Sequence, residues 1–377
     1  MASISPDLLR RALADDAQAS RELFRDVIEP LADRFDVDLV DDYVRMFAPV
    51  IERVYPELRA GGLIARYERV RKVRRADVEP VRVFVLSRVT IGADVAVTSI
   101  VLDAAKKRWP EAEIVFVGPA KNYELFAGDG RIGHLAVAYP RMGTLRDRLA
   151  VHEALALAKL DSVVIDPDSR LTQLGLLPVC TEARYFFFES RAYGGDGSDS
   201  LVALTKRWAA EVLGVADARA FIAVPVAGRA VDVTVSLGVG ENPAKRVADP
   251  FETELLGMLC GRFASVVVDS GGGGEEAERV RAAVASSGGR AEIFTGSFAE
   301  FAGLIARSRL YVGYDSAGGH AAAACGVPMI SVFAGAASER MAQRWRPDGP
   351  GPIHVVKSDG RGVGEAMEEV EGCLRHV

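Results

Sequence analysis

From residue 81 onward, short runs of β-branched apolar residues alternate with helical segments, and at residue 231 the alternation starts again. Short apolar runs bounded by glycine, proline and aspartate read as strands buried on both faces, the condition of a parallel sheet covered by helices on each side. The pattern predicts strands over 81–86, 113–117, 162–165 and 185–188, followed by a long helix over 200–213. A second series is predicted over 231–237, 265–268, 290–294, 310–314, 328–333 and 352–356, with a closing helix over 362–375. Two successive doubly wound units of similar size imply a cleft between them, and open sheets of this kind hold ligands outside the carboxyl ends of their strands.

The first eighty residues differ. Ser5-Pro6-Asp7 reads as a helix start, and Leu23, Phe24, Val27, Ile28 and Leu31, then Leu39, Val40, Tyr43, Val44, Phe47, Ile51 and Val54, recur at helical spacing, with Pro30 and Pro49 marking kinks or breaks. The expected organisation is a helical extension over 1–80, one α/β domain over 81–220, a second over 221–360 and a terminal helix over 361–377.

At 377 residues, 49% hydrophobic and 26% charged, the chain can bury two ordinary cores, and fibrous or disordered classes drop out. Its 46 basic and 52 acidic residues give a formal charge of −6, which argues against a nucleic-acid partner. Cys180, Cys260, Cys325 and Cys373 are far apart, with no CxxC pair, and read as reduced thiols rather than metal ligands. Asp7, Arg10 and Arg11 stand where a secretory leader needs an apolar core, so a cytoplasmic location is expected. The uncharged stretch from Ala317 to Ser338 is long enough to span a bilayer, but its glycines, His320 and Pro328 favour a buried helix, turn and strand.

The strongest local constellation is Tyr314-Asp315-Ser316-Ala317-Gly318-Gly319-His320. A strand delivers Asp315 to its carboxyl end, and small residues then open a helix whose free N–H groups suit a diphosphate. The bland alternative is an N-cap followed by a tightly packed helix. A second piece, Ser236-Leu237-Gly238-Val239-Gly240 continuing to Lys245 and Arg246, sets a glycine-bearing loop and a lysine after a strand. It either brings a cation to a leaving diphosphate or is a solvated loop.

Asp315-Ser316, His320, the alanine-rich run after it and Gly326-x-Pro328 resemble the carboxyl-terminal motif of glycosyltransferase family 9, the heptosyltransferases. Ala317 and Gly319 depart from the residues usual there but stay small. The resemblance, spread over residues 81 to 360, implies a GT-B fold: two Rossmann-like doubly wound domains facing across a cleft, here with an α-helical amino-terminal extension. It implies an inverting transfer, without a metal or other cofactor, of a heptose or related sugar from an ADP-sugar such as ADP-heptose. The acceptor is a hydroxyl on a glycan, glycolipid, protein or small glycoside; the family's usual acceptor belongs to lipopolysaccharide biosynthesis.

On this resemblance Lys245 contacts the donor phosphates, and Glu275, after the glycine run 271–274, binds the donor ribose. Asp315, Ser316, Ala317, Gly318, Gly319 and His320 surround the donor, with Gly238, Gly240 and Arg246 as its loop. In Leu86-Ser87-Arg88-Val89-Thr90-Ile91-Gly92-Ala93-Asp94, the family's Gly-Asp pair is interrupted by Ala93, and Asp94 is expected to be the general base. Arg141, Arg170 and Arg191 are acceptor-side candidates. Asp166-Pro167-Asp168 has the DxD form of metal-dependent transferases but reads as a loop. The basic run Arg66, Arg69, Arg71, Lys72, Arg74, Arg75 suits either contact with an anionic membrane surface or a solvated helix end. A nucleotide-sugar epimerase and a non-catalytic nucleotide-sugar-binding protein remain the alternatives.

Overall fold

The structure is a computed structural model that describes residues 4–155, 161–224, 230–240, 242–336, 338–358 and 360–376. Its contacts divide the chain into two compact units: Met1–Tyr123 with Gly130–Arg219, and Glu124–Asp129 with Ala220–Val377.

The first unit opens with five helices: α1 (Pro6–Leu13), α2 (Ala17–Leu23), α3 (Glu29–Ala32), α4 (Val37–Val54) and α5 (Ala60–Val70). Asp16 and Asp36 cap α2 and α4 by accepting backbone N–H bonds. Between α2 and α3 lies a π turn over Phe24–Ile28. Pro30 has no N–H to return to Asp26, and the Glu29 N–H instead bonds Phe24 O, five residues back. Pro49 sits inside α4, which runs on past it.

A five-stranded parallel sheet follows, built from β1 (Arg82–Leu86), β2 (Glu113–Gly118), β3 (Ile132–Ala136), β4 (Ser162–Asp166) and β5 (Tyr185–Phe187) in the order β3-β2-β1-β4-β5. Its helices are α6 (Ile91–Ala93), α7 (Ser99–Arg108), α8 (Ala120–Tyr123), α9 (Leu145–Ala154) and α10 (Leu201–Leu213). Alternate strand residues face opposite sides. Phe84, Leu86, Val115, Val117 and Val164 join Phe24, Ile28, Tyr43, Val44, Phe47 and Ile51 in one buried cluster, so the helices before β1 form the cover of one sheet face. The basic run is largely spent on this packing. Arg66 donates to Gly175 O at 2.8 Å, Arg69 pairs with Glu182 at 2.7 Å and Arg71 with Asp41 at 2.6 Å. Arg74 donates to the carbonyls of Glu182, Ala183 and Tyr185. Arg66, Arg69 and Arg74 thereby tie the extension to the segments before and along β5.

The second unit holds a six-stranded parallel sheet of β6 (Val231–Ser236), β7 (Val266–Asp269), β8 (Glu292–Phe294), β9 (Ser308–Tyr314), β10 (Met329–Phe333) and β11 (Ile353–Lys357). Their order is β11-β10-β9-β6-β7-β8. Helices α11 (Phe251–Arg262), α12 (Gly274–Ser286), α13 (Phe298–Ile305), α14 (Ala317–Cys325), α15 (Glu339–Trp345) and α16 (Val363–Leu374) complete it. In each sheet the order reverses beside the first strand of the unit, between β1 and β4 and between β6 and β9. No described helix is long and apolar enough to cross a membrane.

All ten strands expected from the sequence are present within one or two residues; β3 is additional. It is an edge strand whose middle residues, Gly133 to Leu135, are half-buried, so it lacks an unbroken apolar run.

Candidate functional site

Reversal points are where doubly wound sheets leave a crevice at the strand ends. In the second unit the loops after β6 and β9 meet there, and they carry Lys245 and Asp315. Lys245 Nζ donates to Asp315 Oδ2 at 2.6 Å, with side-chain exposures of 21% and 12%, so the pair is sheltered yet open to a ligand. Lys245 ends a 3₁₀ turn, Pro243–Lys245, capped by Asn242. That turn lies directly on Gly335, the second residue after β10. Gly335 has φ +59°, and a Cβ there would overlap the carbonyl of Ala244. Glu241, in the same loop, lies outside the described residues.

Ser316 is the N-cap of α14 but makes no side-chain cap bond; its hydroxyl lies 3.3 Å from the Tyr311 hydroxyl. The first N–H groups of α14 therefore keep their capacity for an anion. A Cβ on Gly318 would collide with the Tyr311 ring, so this glycine is required by packing in addition to any phosphate approach. His320 is buried with its ring edge against Trp345, and burial pushes its pKa down to about 4, leaving a neutral imidazole beside Asp315 and Lys245.

The glycine turn after β7 places the two glutamates differently. Glu275 is exposed. Glu276 folds back, accepting from Gly272 N at 2.7 Å and Val239 N at 3.3 Å, and lies against Gly238. The carboxylate that reaches the β6 loop is thus the neighbour of the one the sequence singles out. Arg246 turns away to Glu252, at 2.9 Å, and Asp249. Glu252 is buried and also receives Arg279 and, at 3.1 Å, the Tyr314 hydroxyl. This buried carboxylate fixes the floor of the loop, and no motif announces it.

In the first unit Asp94 sits at the head of α7 within a π turn over Asp94–Thr98. Such a turn takes one residue more than an α turn. The Asp94 carboxylate is fully buried. Oδ1 accepts from Arg88 N at 2.7 Å and Thr98 Oγ1 at 2.6 Å; Oδ2 accepts from Ser87 Oγ and Asn122 Nδ2, each at 2.6 Å. A carboxylate offers about four lone-pair positions, and all are taken. Burial raises its pKa, opposed by the Ser87, Thr98 and Asn122 bonds. As arranged, Asp94 organises the loop after β1, and an acceptor hydroxyl has to displace one of these four donors for Asp94 to act as the base expected from the sequence.

The other first-unit candidates are also committed. Asp166 accepts from Ser169 N, Thr172 Oγ1 and the Tyr185 hydroxyl, and burial pushes its pKa up to about 6. Asp168 accepts from Ser190 Oγ at 2.7 Å and pairs with the buried Arg191. The DxD triplet is therefore a structural loop, and Arg191 belongs to it. Arg170 pairs with Asp33 at 3.2 Å across to the extension. Arg141 alone of the three acceptor-side arginines is exposed.

Comparison with known proteins gives a consistent picture. Residues 249–353 match the family model "Glycosyltransferase family 9 (heptosyltransferase)". E. coli heptosyltransferase WaaC with ADP is similar in structure at TM-score 0.58 and 17% identity, covering 78% of this chain and 99% of its own. A family 9 glycosyltransferase from Veillonella parvula gives 0.57 at 15% identity, covering 80% and 99%. E. coli ADP-heptose LPS heptosyltransferase II gives 0.51 at 14% identity, covering 78% and 99%. No curated protein sequence matches the chain. The two parallel sheets and their helices are those of the GT-B fold, and the stretch of this chain that is similar to glycosyltransferase family 9, residues 249–353, takes in Asp315 to His320.

Proposed function

We propose that this protein transfers a heptose or a related sugar from an ADP-linked donor to an acceptor hydroxyl, with inversion at the anomeric carbon and without a metal ion on the leaving group. The observation that carries this reading is the Lys245–Asp315 pair at the reversal point of the second sheet, beside the uncapped amino end of α14. A diphosphate there accepts N–H bonds from the helix and displaces Asp315 from the ammonium. Lys245 then faces the phosphates, and Asp315 is released to accept from donor-sugar hydroxyls. Charge-assisted bonds of this kind contribute about 1.5–3 kcal/mol each, and more where charge develops on the departing phosphate.

The remaining residues support the pose. Glu276 keeps acceptor capacity beyond its two backbone bonds and is placed to receive ribose hydroxyls at the Gly238 loop. Neutral His320 adds no second cation, leaving the charge of the site to Lys245 and the helix. In the transfer the anomeric carbon–phosphate oxygen bond breaks with its electron pair going to ADP. The acceptor oxygen forms the new bond from the opposite face, and its proton leaves to a base.

The adenine nucleotide follows from the likeness to E. coli heptosyltransferase WaaC, whose structure holds ADP. A ligand that binds only the native state raises the melting temperature. ADP-heptose is expected to raise it in the presence of EDTA, whereas UDP-glucose at equal concentration leaves it unchanged; the reverse order overturns the donor assignment.

A further inference from the structure

The charged residues of the proposed donor site, Lys245, Glu276 and Asp315, come from separate elements of the second unit: the loop after β6, α12 and the end of β9. Glu252, in the first turn of α11, is 2% exposed, and its Oε1 is the common acceptor of three donors. Arg246 Nε reaches it at 2.9 Å and the Tyr314 hydroxyl at 3.1 Å, and Arg279 Nη1 completes the set. Each donor is a near neighbour of one site residue. Arg246 follows Lys245, Tyr314 precedes Asp315, and Arg279 stands three residues after Glu276, on the same side of α12. Arg279 also donates at 2.9 Å to the carbonyl of Leu237, the residue before the Gly238 against which Glu276 lies.

The bonds are spent unevenly. A carboxylate oxygen has about two lone-pair positions, yet Oε1 takes three donors while Oε2, also buried, has no hydrogen-bond partner among the described residues. A carboxylate placed for stability alone spreads its donors over both oxygens, because a buried acceptor left unfilled is costly. Convergence on one atom instead fixes the three donors relative to one another, each within hydrogen-bond reach of a single point. The Phe251 ring packs on the Tyr314 ring with centroids 6.1 Å apart, which holds the first turn of α11 against the end of β9.

We propose that Glu252 is a positioning residue for the nucleoside-diphosphate site: through Arg246, Arg279 and Tyr314 it sets the mutual spacing of Lys245, Glu276 and Asp315, so that these three act as a unit. The proposal rests on the donor reading for what the site binds, and on the geometry alone for how the site is held. Its signature is positional rather than electrostatic. A neutral group that still accepts at the Oε1 position retains most of the effect, and a group that accepts nothing loses it.

The test applies two measurements to the full chain. One is calorimetric titration with ADP in EDTA; the other is acetylation of lysines by acetic anhydride without nucleotide, read by mass spectrometry, with the exposed Lys72 of the first unit as internal reference. In Glu252→Ala, ADP is expected to bind about thirtyfold more weakly, and Lys245 to be acetylated about fivefold faster as its pairing with Asp315 loosens. Glu252→Gln keeps an acceptor oxygen without the charge and should stay within about threefold of the wild type in both readouts. Equal losses in the two variants would make Glu252 a charge balance only and overturn the proposal. Lys245→Ala should cost about threefold less in the Glu252→Ala background than in the wild type, whereas additive costs overturn it. Tyr314→Phe, which removes one of the three donors and leaves no cavity, is expected to speed Lys245 acetylation about twofold, and this variant decides the matter if Glu252→Ala does not fold. An unchanged acetylation rate in either variant overturns the proposal. A wild type that binds no ADP defeats the donor reading alone, since the acetylation rates still decide the role of Glu252.

Discussion

At the scale of the residue, the buried Asp94 carboxylate is the hub of the loop after β1. Asp94 is expected to be the base from the resemblance of Gly92-Ala93-Asp94 to a Gly-Asp pair, and spacing says nothing of its lone pairs. The four donors that fill them come from Ser87, Arg88, Thr98 and Asn122, the last 28 residues away, and no local motif links them. Asp94→Asn turns an amide N–H₂ toward these buried donors. It is expected to lower unfolding stability by about 3 kcal/mol in urea titration. A variant as stable as the wild type would return Asp94 to the role of a free carboxylate. His320, by contrast, was legible as a site residue but not as a neutral one. Its pKa is about 4 folded against 6.5 unfolded, so the unfolded chain binds the additional proton. The stability this gives is complete above pH 6.5 and is lost as pH falls toward 4. Between pH 7 and pH 5 the wild type should lose about 1–2 kcal/mol more than His320→Gln; parallel curves for the two proteins would show an exposed imidazole.

At the scale of the element, what the sequence made legible was the alternation and what it hid was the irregular turn. Strands with continuous apolar runs, such as Ile114 to Val117, announce themselves, whereas β3 has Gly133 and His134 at an edge and does not. The π turns at Phe24–Ile28 and Asp94–Thr98 leave no periodic trace either, since each shifts the helical register by one residue. The 3₁₀ turn that presents Lys245 depends on Gly335, which lies 90 positions on in the chain and belongs to no motif. Gly335→Ala puts a Cβ into the Ala244 carbonyl at a left-handed backbone position. The variant is expected to bind ADP about tenfold more weakly while circular dichroism stays that of the wild type. Unchanged affinity would mean that the turn is held by other contacts.

At the scale of the whole molecule, the fold class was readable because two parallel sheets need two series of buried strands, and each series is visible. The role of the first eighty residues was not. Their amphipathic spacing shows helices, but only the structure shows that Tyr43, Phe47 and Ile51 share a buried cluster with Phe84, Leu86 and Val164. The extension is thereby the cover of one sheet face, locked by Arg66, Arg69 and Arg74. Deleting residues 4–70 exposes an apolar face far larger than a soluble surface tolerates. The truncated chain is expected to aggregate or bind the dye ANS strongly, and a soluble, dye-silent product would make the extension a separate appendage.

The proposed transfer requires Lys245 and the open end of α14 to hold a nucleoside diphosphate without a metal. Calorimetric titration of the full chain with ADP, in EDTA and beside UDP and GDP as competitors, tests this most directly. Selective ADP binding that weakens about tenfold to a hundredfold in Lys245→Ala is the predicted result. Binding that is unchanged in Lys245→Ala, or that is found only for UDP or GDP, would contradict it.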